Sequence, residues 1–73
     1  MLVNLAFRNI ESCKDSRIQN IPKECTILYL SYNSLTSLEG FPVLPNLEKL
    51  SLNNNDLTSL EGFPVLPKLQ ELI

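Results

Sequence analysis

The chain has 73 residues, 44% of them hydrophobic, a formal net charge of −2 and no histidine. That length makes one small domain with a modest core, and its six Lys and Arg are too scattered for the basic footprint that nucleic acid demands. No apolar run approaches the ~20 residues that cross a bilayer, and the opening Met1-Leu2-Val3-Asn4-Leu5-Ala6-Phe7 meets charge too soon for a secretion signal. The expectation is an intracellular protein, cytoplasmic or else nuclear, or an excised fragment of a longer one, with no membrane and no nucleic acid among its partners.

Met1 to Asn20 is the least regular part. Val3-Asn4-Leu5-Ala6-Phe7 alternates apolar residues, which predicts a capping strand, with a short helix as the alternative. Set against the leucine spacing that follows, Cys13 takes the role of Leu30, Ile18 and Ile21 the roles of Leu35 and Leu38, and Glu11 falls where Leu28 would. Ile10 to Glu24 therefore reads as a degenerate, shortened coil.

From Cys25 onward the sequence repeats. A shift of 22 residues lays Leu50 on Leu28, Leu52 on Leu30, Asn55 on Asn33, Leu57 on Leu35 and Leu60 on Leu38. Leu35 to Pro45 then matches Leu57 to Pro67 letter for letter, and Leu69 and Leu72 open a further copy. Leu50-x-Leu52 has the period of a strand with one face inward. The spacing then widens to threes through Leu57, Leu60, Phe63, Leu66 and Leu69, which suits a tight return such as 3₁₀ turns. Gly40, Gly62, Pro42, Pro45, Pro64 and Pro67 all fall on that return, where turns accept them and central strands do not. One copy is thus a coil that cannot close its own apolar face, so coils must stack. At the inward bend, the amides of Asn33 and Asn55 can meet stranded backbone groups, forming an asparagine ladder.

The order Leu-x-x-Leu-x-Leu-x-x-Asn-x-Leu-x-x-Leu, filled twice, resembles the leucine-rich repeat family. The return Leu-x-x-Leu-x-x-Phe-x-x-Leu-x-x-Leu is similar to the 22-residue intracellular subclass typified by the phosphatase-1 regulatory subunit. The resemblance implies an α/β solenoid that is right-handed, with short parallel strands on the concave side, 3₁₀ or irregular segments on the convex side, and protein binding through the concave sheet. The divisions expected are residues 1–24 (cap and degenerate coil), 25–46 (repeat 1), 47–68 (repeat 2) and 69–73 (start of an incomplete repeat 3) within one domain. The Cys13 to Pro22 run loosely resembles the N-terminal caps of extracellular members, without their additional cysteines.

Residues flanking the inward leucines should face the concave side: Ile27, Tyr29 and Ser31, then Lys49, Ser51 and Asn53, then Glu71 and Ile73, with Tyr32 and Asn54 at the edge. Ile27 and Tyr29 are apolar where a scaffold built only for stability would be polar, and aromatic anchors are common at binding hot spots; packing against the N-terminal segment is the structural alternative. Lys49 and Glu71 are expected to pair across neighbouring strands. Leu66, Leu69, Leu72 and Ile73 end the chain on an open coil, which predicts self-association. Cys13 and Cys25 fall on inward positions, as buried thiols or, in an oxidising compartment, a disulfide; with no His and no close Cys pair, zinc lacks ligands. The function expected is a protein–protein interaction module without cofactor. The alternative is a capping piece of a larger repeat protein, and catalysis is set aside because the commonest general base is missing.

Overall fold

The computed structural model describes residues 1–73. The secondary structure is spare: strand β1 (Leu2–Asn4), a four-residue helix α1 (Ser16–Gln19), and strands β2 (Ile27–Tyr29), β3 (Lys49–Ser51) and β4 (Glu71–Leu72). The strands form one parallel sheet in the order β1-β2-β3-β4, so each step along the chain adds one rung to the stack. Val3 lies opposite Leu28, Leu28 opposite Leu50, and Leu50 opposite Leu72. Inward leucines at one coil position are therefore neighbours across rungs, which is what a fixed sequence period requires of a stack.

The core is one continuous cluster. Ile10, Cys13, Ile18, Cys25, Leu28, Leu30, Leu35, Leu38, Leu47 and Leu50 are buried, with Val3, Leu5, Leu57, Phe63 and Leu69 packed against it half-covered. The return paths of the second and third coils hold no 3₁₀ helix; each is irregular chain punctuated by single turns. Phe41 N–H closes one onto Leu38 O at 3.0 Å and Phe63 N–H closes its copy onto Leu60 O at 3.1 Å. Gly40 and Gly62 stand at the third turn position with φ of +85° and +88°, the left-handed conformation a type II turn asks of that residue. With Gly and two Pro in six residues, i→i+3 bonds cannot propagate into a helix. Phe41 and Phe63 turn toward each other at 5.6 Å, and Phe41 is buried.

The N-terminal coil corrects the expectation for Ile10–Glu24. Register makes Val3 and Leu5 the counterparts of Leu28 and Leu30, and Glu11 and Cys13 are not. The coil opens at the first strand and runs 25 residues from Val3 to Leu28, against 22 from Leu28 to Leu50, so it is lengthened rather than shortened. The surplus is taken up by α1, which presses Ile18 into the core. Asp15 caps this helix, its carboxylate accepting from Arg17 N–H at 2.9 Å. The Arg17 guanidinium returns to the same carboxylate at 2.9 and 2.7 Å. Gln19 Nε2 then ties the first coil to the second, donating to Cys13 O and Gly40 O, each at 2.7 Å.

Candidate functional site

Alternation along each strand sends one set of side chains into the core and the other onto the outer face of the sheet. Register arranges that outer set in rows. Leu2, Ile27, Lys49 and Glu71 make the first, and Asn4, Tyr29 and Ser51 the second, which Ile73 extends beside Ser51. Ser31 and Asn53 follow in a third, where Ser51 Oγ donates to Asn53 Oδ1 at 2.7 Å. Ile27, Ser31 and Ser51 are half-buried; Tyr29, Lys49, Asn53, Glu71 and Ile73 are exposed. The expected Lys49–Glu71 ion pair does not form: the two are neighbours in register, but the salt bridges are Lys14–Glu39 and Arg17–Asp15. Both Lys49 and Glu71 are solvated, so closing a pair would cost side-chain entropy for little Coulomb gain.

The face is polarised along the stack. Its N-terminal half is mainly apolar and aromatic, with Leu2, Ile27 and Tyr29 against Asn4; its C-terminal half is mainly polar, with Lys49, Ser51, Asn53 and Glu71 against Ile73. The apolar half is larger than the sequence suggested, because β1 contributes Leu2 and the bend after it contributes Phe7. At the rim, Phe7 and Tyr32 stack at 4.5 Å with their rings 7° apart, while 69% and 49% exposed. Phe7, Tyr32 and Asn54 hold the same position in successive coils, and all three are left-handed, with φ of 56°, 58° and 60°. Asn tolerates that conformation, whereas bulky rings rarely adopt it. The bend that ends each strand imposes it, and at two of the three positions it lifts an aromatic ring onto the rim. Phe7 and Leu2 were missed because the first coil was placed too late. The available signal was Val3-x-Leu5 standing 25 residues before Leu28-x-Leu30, with Phe7 over Tyr32 at the same offset.

Below that bend, two amides bind coil to coil. Asn33 Oδ1 accepts from the N–H of Arg8 (3.1 Å) and Ile10 (3.0 Å), while its Nδ2 donates to Leu5 O (2.9 Å), Leu30 O (3.0 Å) and Ser31 O (3.3 Å). Asn55 Oδ1 accepts from Leu35 N–H at 3.0 Å, and its Nδ2 donates to Leu30 O and Leu52 O at 3.0 and 2.9 Å. Arg8 fills the matching place in the first coil, which has no earlier coil to bond; its guanidinium turns to Ala6 O at 2.8 Å.

Cys13 and Cys25 are free and buried, and burial raises both thiols above their ordinary pKa. Neutral thiols of this kind are poor nucleophiles and behave as small core residues. On the return side a shallow polar depression of about 370 Å³ lies between the second and third coils. Ser37 and Ser59 line it, but their hydroxyls accept from Glu39 N–H and Glu61 N–H at 3.0 and 3.2 Å, which makes them turn-forming groups. No three His, Cys, Asp or Glu side chains converge in a way that could hold a metal ion, and no helix is long and apolar enough to cross a membrane.

Among protein families, the one described as Leucine Rich repeats (2 copies) matches residues 23–64, more than half of the chain. Neither a curated protein nor a solved structure matches it.

Proposed function

Because the chain belongs to the leucine-rich repeat family, we propose that it is a protein–protein interaction module that holds its partner on the outer face of the parallel sheet. The observation that carries this reading is the apolar and aromatic half of that face, with exposed Leu2 and Tyr29 and half-buried Ile27 beside the stacked Phe7–Tyr32 pair. Solvent-facing rings already fixed by stacking lose little rotamer freedom on contact, which is the property of binding anchors. Lys49, Ser51, Asn53 and Glu71 then supply the polar margin that sets orientation.

The 22-residue spacing and its Leu-x-x-Phe return favour the intracellular subclass and, with it, a right-handed coil whose outer sheet face is concave. Two free, buried thiols suit the reducing cytoplasm or nucleus. The test is capture from a cell lysate by the wild-type chain and by folded Tyr29→Ala and Lys49→Glu variants. A protein retained by the wild type and released by the variants supports the proposal. Proteins held equally by all three, or none held at all, overturn it and leave the reading of a capping piece with no binding activity of its own.

A further inference from the structure

Charge around the apolar strip of the outer face is one-sided. Leu2, Ile27 and Tyr29 lie on the first two rungs, with Asn4 and Ser31 among them and the Phe7–Tyr32 stack at the far end. Lys49 borders the strip on the third rung, beside Ile27 in register, exposed and with no carboxylate paired to it. Arg8 borders the opposite corner. It is exposed, and its guanidinium lies 2.8 Å from the carbonyl of Ala6, which heads the row of Ser31. Of the eight Asp and Glu residues only Glu71 stands in the rows of the face, and Lys49 separates it from the strip. Glu48 is half-buried and alternates with Lys49 toward the other side, while Glu11 and Asp56 come after the bend. Asp15 is drawn toward Arg8 by the 2.9 Å bond from Arg17 Nη1 to Arg8 O, but Arg17 already matches its charge. A chain with a net charge of −2 thus borders this strip with two cations and no carboxylate.

On the reading that the outer face docks a partner, we propose that its apolar strip takes an acidic linear peptide. This is a short extended segment of the partner, with an aromatic or aliphatic side chain at its centre and carboxylates on both sides. Charge and size both point to it. Lys49 and Arg8 carry donors only and an ionised carboxylate is an acceptor only, so the partner supplies what the face does not hold out to either cation. From the row of Leu2 to the row of Ala6 is about 13 Å along the strands, and two rungs are about 10 Å across, so the strip covers on the order of 130 Å² in projection. That is small beside the ~800 Å² that each partner gives to a stable contact between folded proteins. It is the footprint of about four extended residues.

The register also sets a spacing. At about 3.3 Å per residue along the strands and about 4.8 Å per rung, Lys49 and the Ala6 carbonyl that holds Arg8 stand about 16 Å apart, diagonally across the strip. An extended chain covers that distance in about five residues, so the partner's carboxylates should flank its apolar residue about five positions apart. The rings are in place before contact. Phe7 and Tyr32 stack at 4.5 Å and 7°, on left-handed backbone imposed by the bend. Ordering entropy is then lost mainly on the peptide's side.

Selection of a displayed random-peptide library against the 73-residue chain tests this. Enriched sequences should place Asp or Glu on both sides of an aromatic or aliphatic residue. A synthetic peptide of that consensus, titrated by fluorescence anisotropy, should bind about tenfold more weakly to folded Lys49→Glu and Tyr29→Ala chains and nearly unchanged to Lys49→Arg. Glu71→Lys should bind it more tightly, and added salt should weaken it throughout. Selection against Lys49→Glu should turn toward basic sequences, a change that misfolding does not produce. Basic or uncharged consensus peptides that still depend on Tyr29 would overturn the acidic assignment and leave the docking face standing. Peptides indifferent to Tyr29→Ala, or no enrichment while lysate proteins are still captured on the face, would overturn the peptide proposal as well. The docking face itself falls only with the lysate capture.

Discussion

Leu35–Pro45 and Leu57–Pro67 are the same eleven letters in two places, and the molecule treats them differently. Leu38 is fully buried while Leu60, its copy, is 56% exposed; Leu35 is buried and Leu57 half-covered. Their local conformations agree down to the turn bond and the left-handed glycine. What separates them is what lies beside each in this structure: a whole coil against the first copy, the short β4 rung against the second. In a stack, sequence sets the shape of a coil, and its neighbours set how much each leucine contributes to stability.

The same truncation made in both copies tests this most directly. Leu38→Ala should cost about 2–5 kcal/mol, as a buried leucine does, whereas Leu60→Ala should cost about 1 kcal/mol or less because much of its surface already meets water. Urea midpoints on monomeric samples would measure both, and equal costs would break the comparison. Next in size is the amide pair. Asn33→Ala removes five bonds to the backbone and leaves Arg8 N–H, Ile10 N–H and Leu5 O unpaired; Asn55→Ala removes three and leaves Leu35 N–H and Leu52 O unpaired. Each should lose about 1–3 kcal/mol, the usual range for buried groups left unpaired, with Asn33 the larger.

The glycines should reverse the order. Both sit at positive φ, so alanine at either carries about 1–2 kcal/mol of backbone strain. A Cβ at Gly62 would also meet the Glu39 backbone at 3.0–3.1 Å, whereas one at Gly40 meets Lys14 Cγ at 2.9 Å on a side chain free to swing away. Gly62→Ala should therefore melt below Gly40→Ala, although every other matched substitution is milder in the third coil. The smallest effect belongs to the first coil. Asp15 is held down to about 2, first by the Arg17 side-chain hydrogen bonds, from an ordinary value of 3.8. A depressed carboxylate gives stability that is present above its unfolded pKa and is lost as pH falls from about 4 through about 2. In Asp15→Asn that part of the acid dependence should vanish, leaving a slightly flatter curve of melting temperature against pH below 4. Since the pair is solvent-exposed, the change should be small and reduced by salt.

From Leu28 onward, every inward position followed from spacing alone, because a stacked coil must repeat its apolar pattern wherever a neighbour repeats. The first coil broke that logic. Arg8 stands in the asparagine place, Val3 replaces a leucine, and the α1 insertion shifts everything from Cys13 to Ile21 out of phase. The local spacing of Ile18 and Ile21 matched a return path, and only strand pairing distinguished that match from the true register. The outer face of the sheet suffered accordingly: Ile27, Tyr29 and Lys49 were placed from the repeat, while Leu2 and the Phe7–Tyr32 stack required the first rung to be located.

Sequence by itself determined the parallel rungs, the inward leucines and the turn glycines, since each depends on contacts within a coil or with its copy 22 residues away. Tertiary structure decided which of two identical runs is core and which is surface, which aromatics share a rim, and that Lys49 and Glu71 stay apart. Those outcomes turn on burial and on neighbours distant along the chain, and eleven residues repeated verbatim carry no mark of what lies beside them.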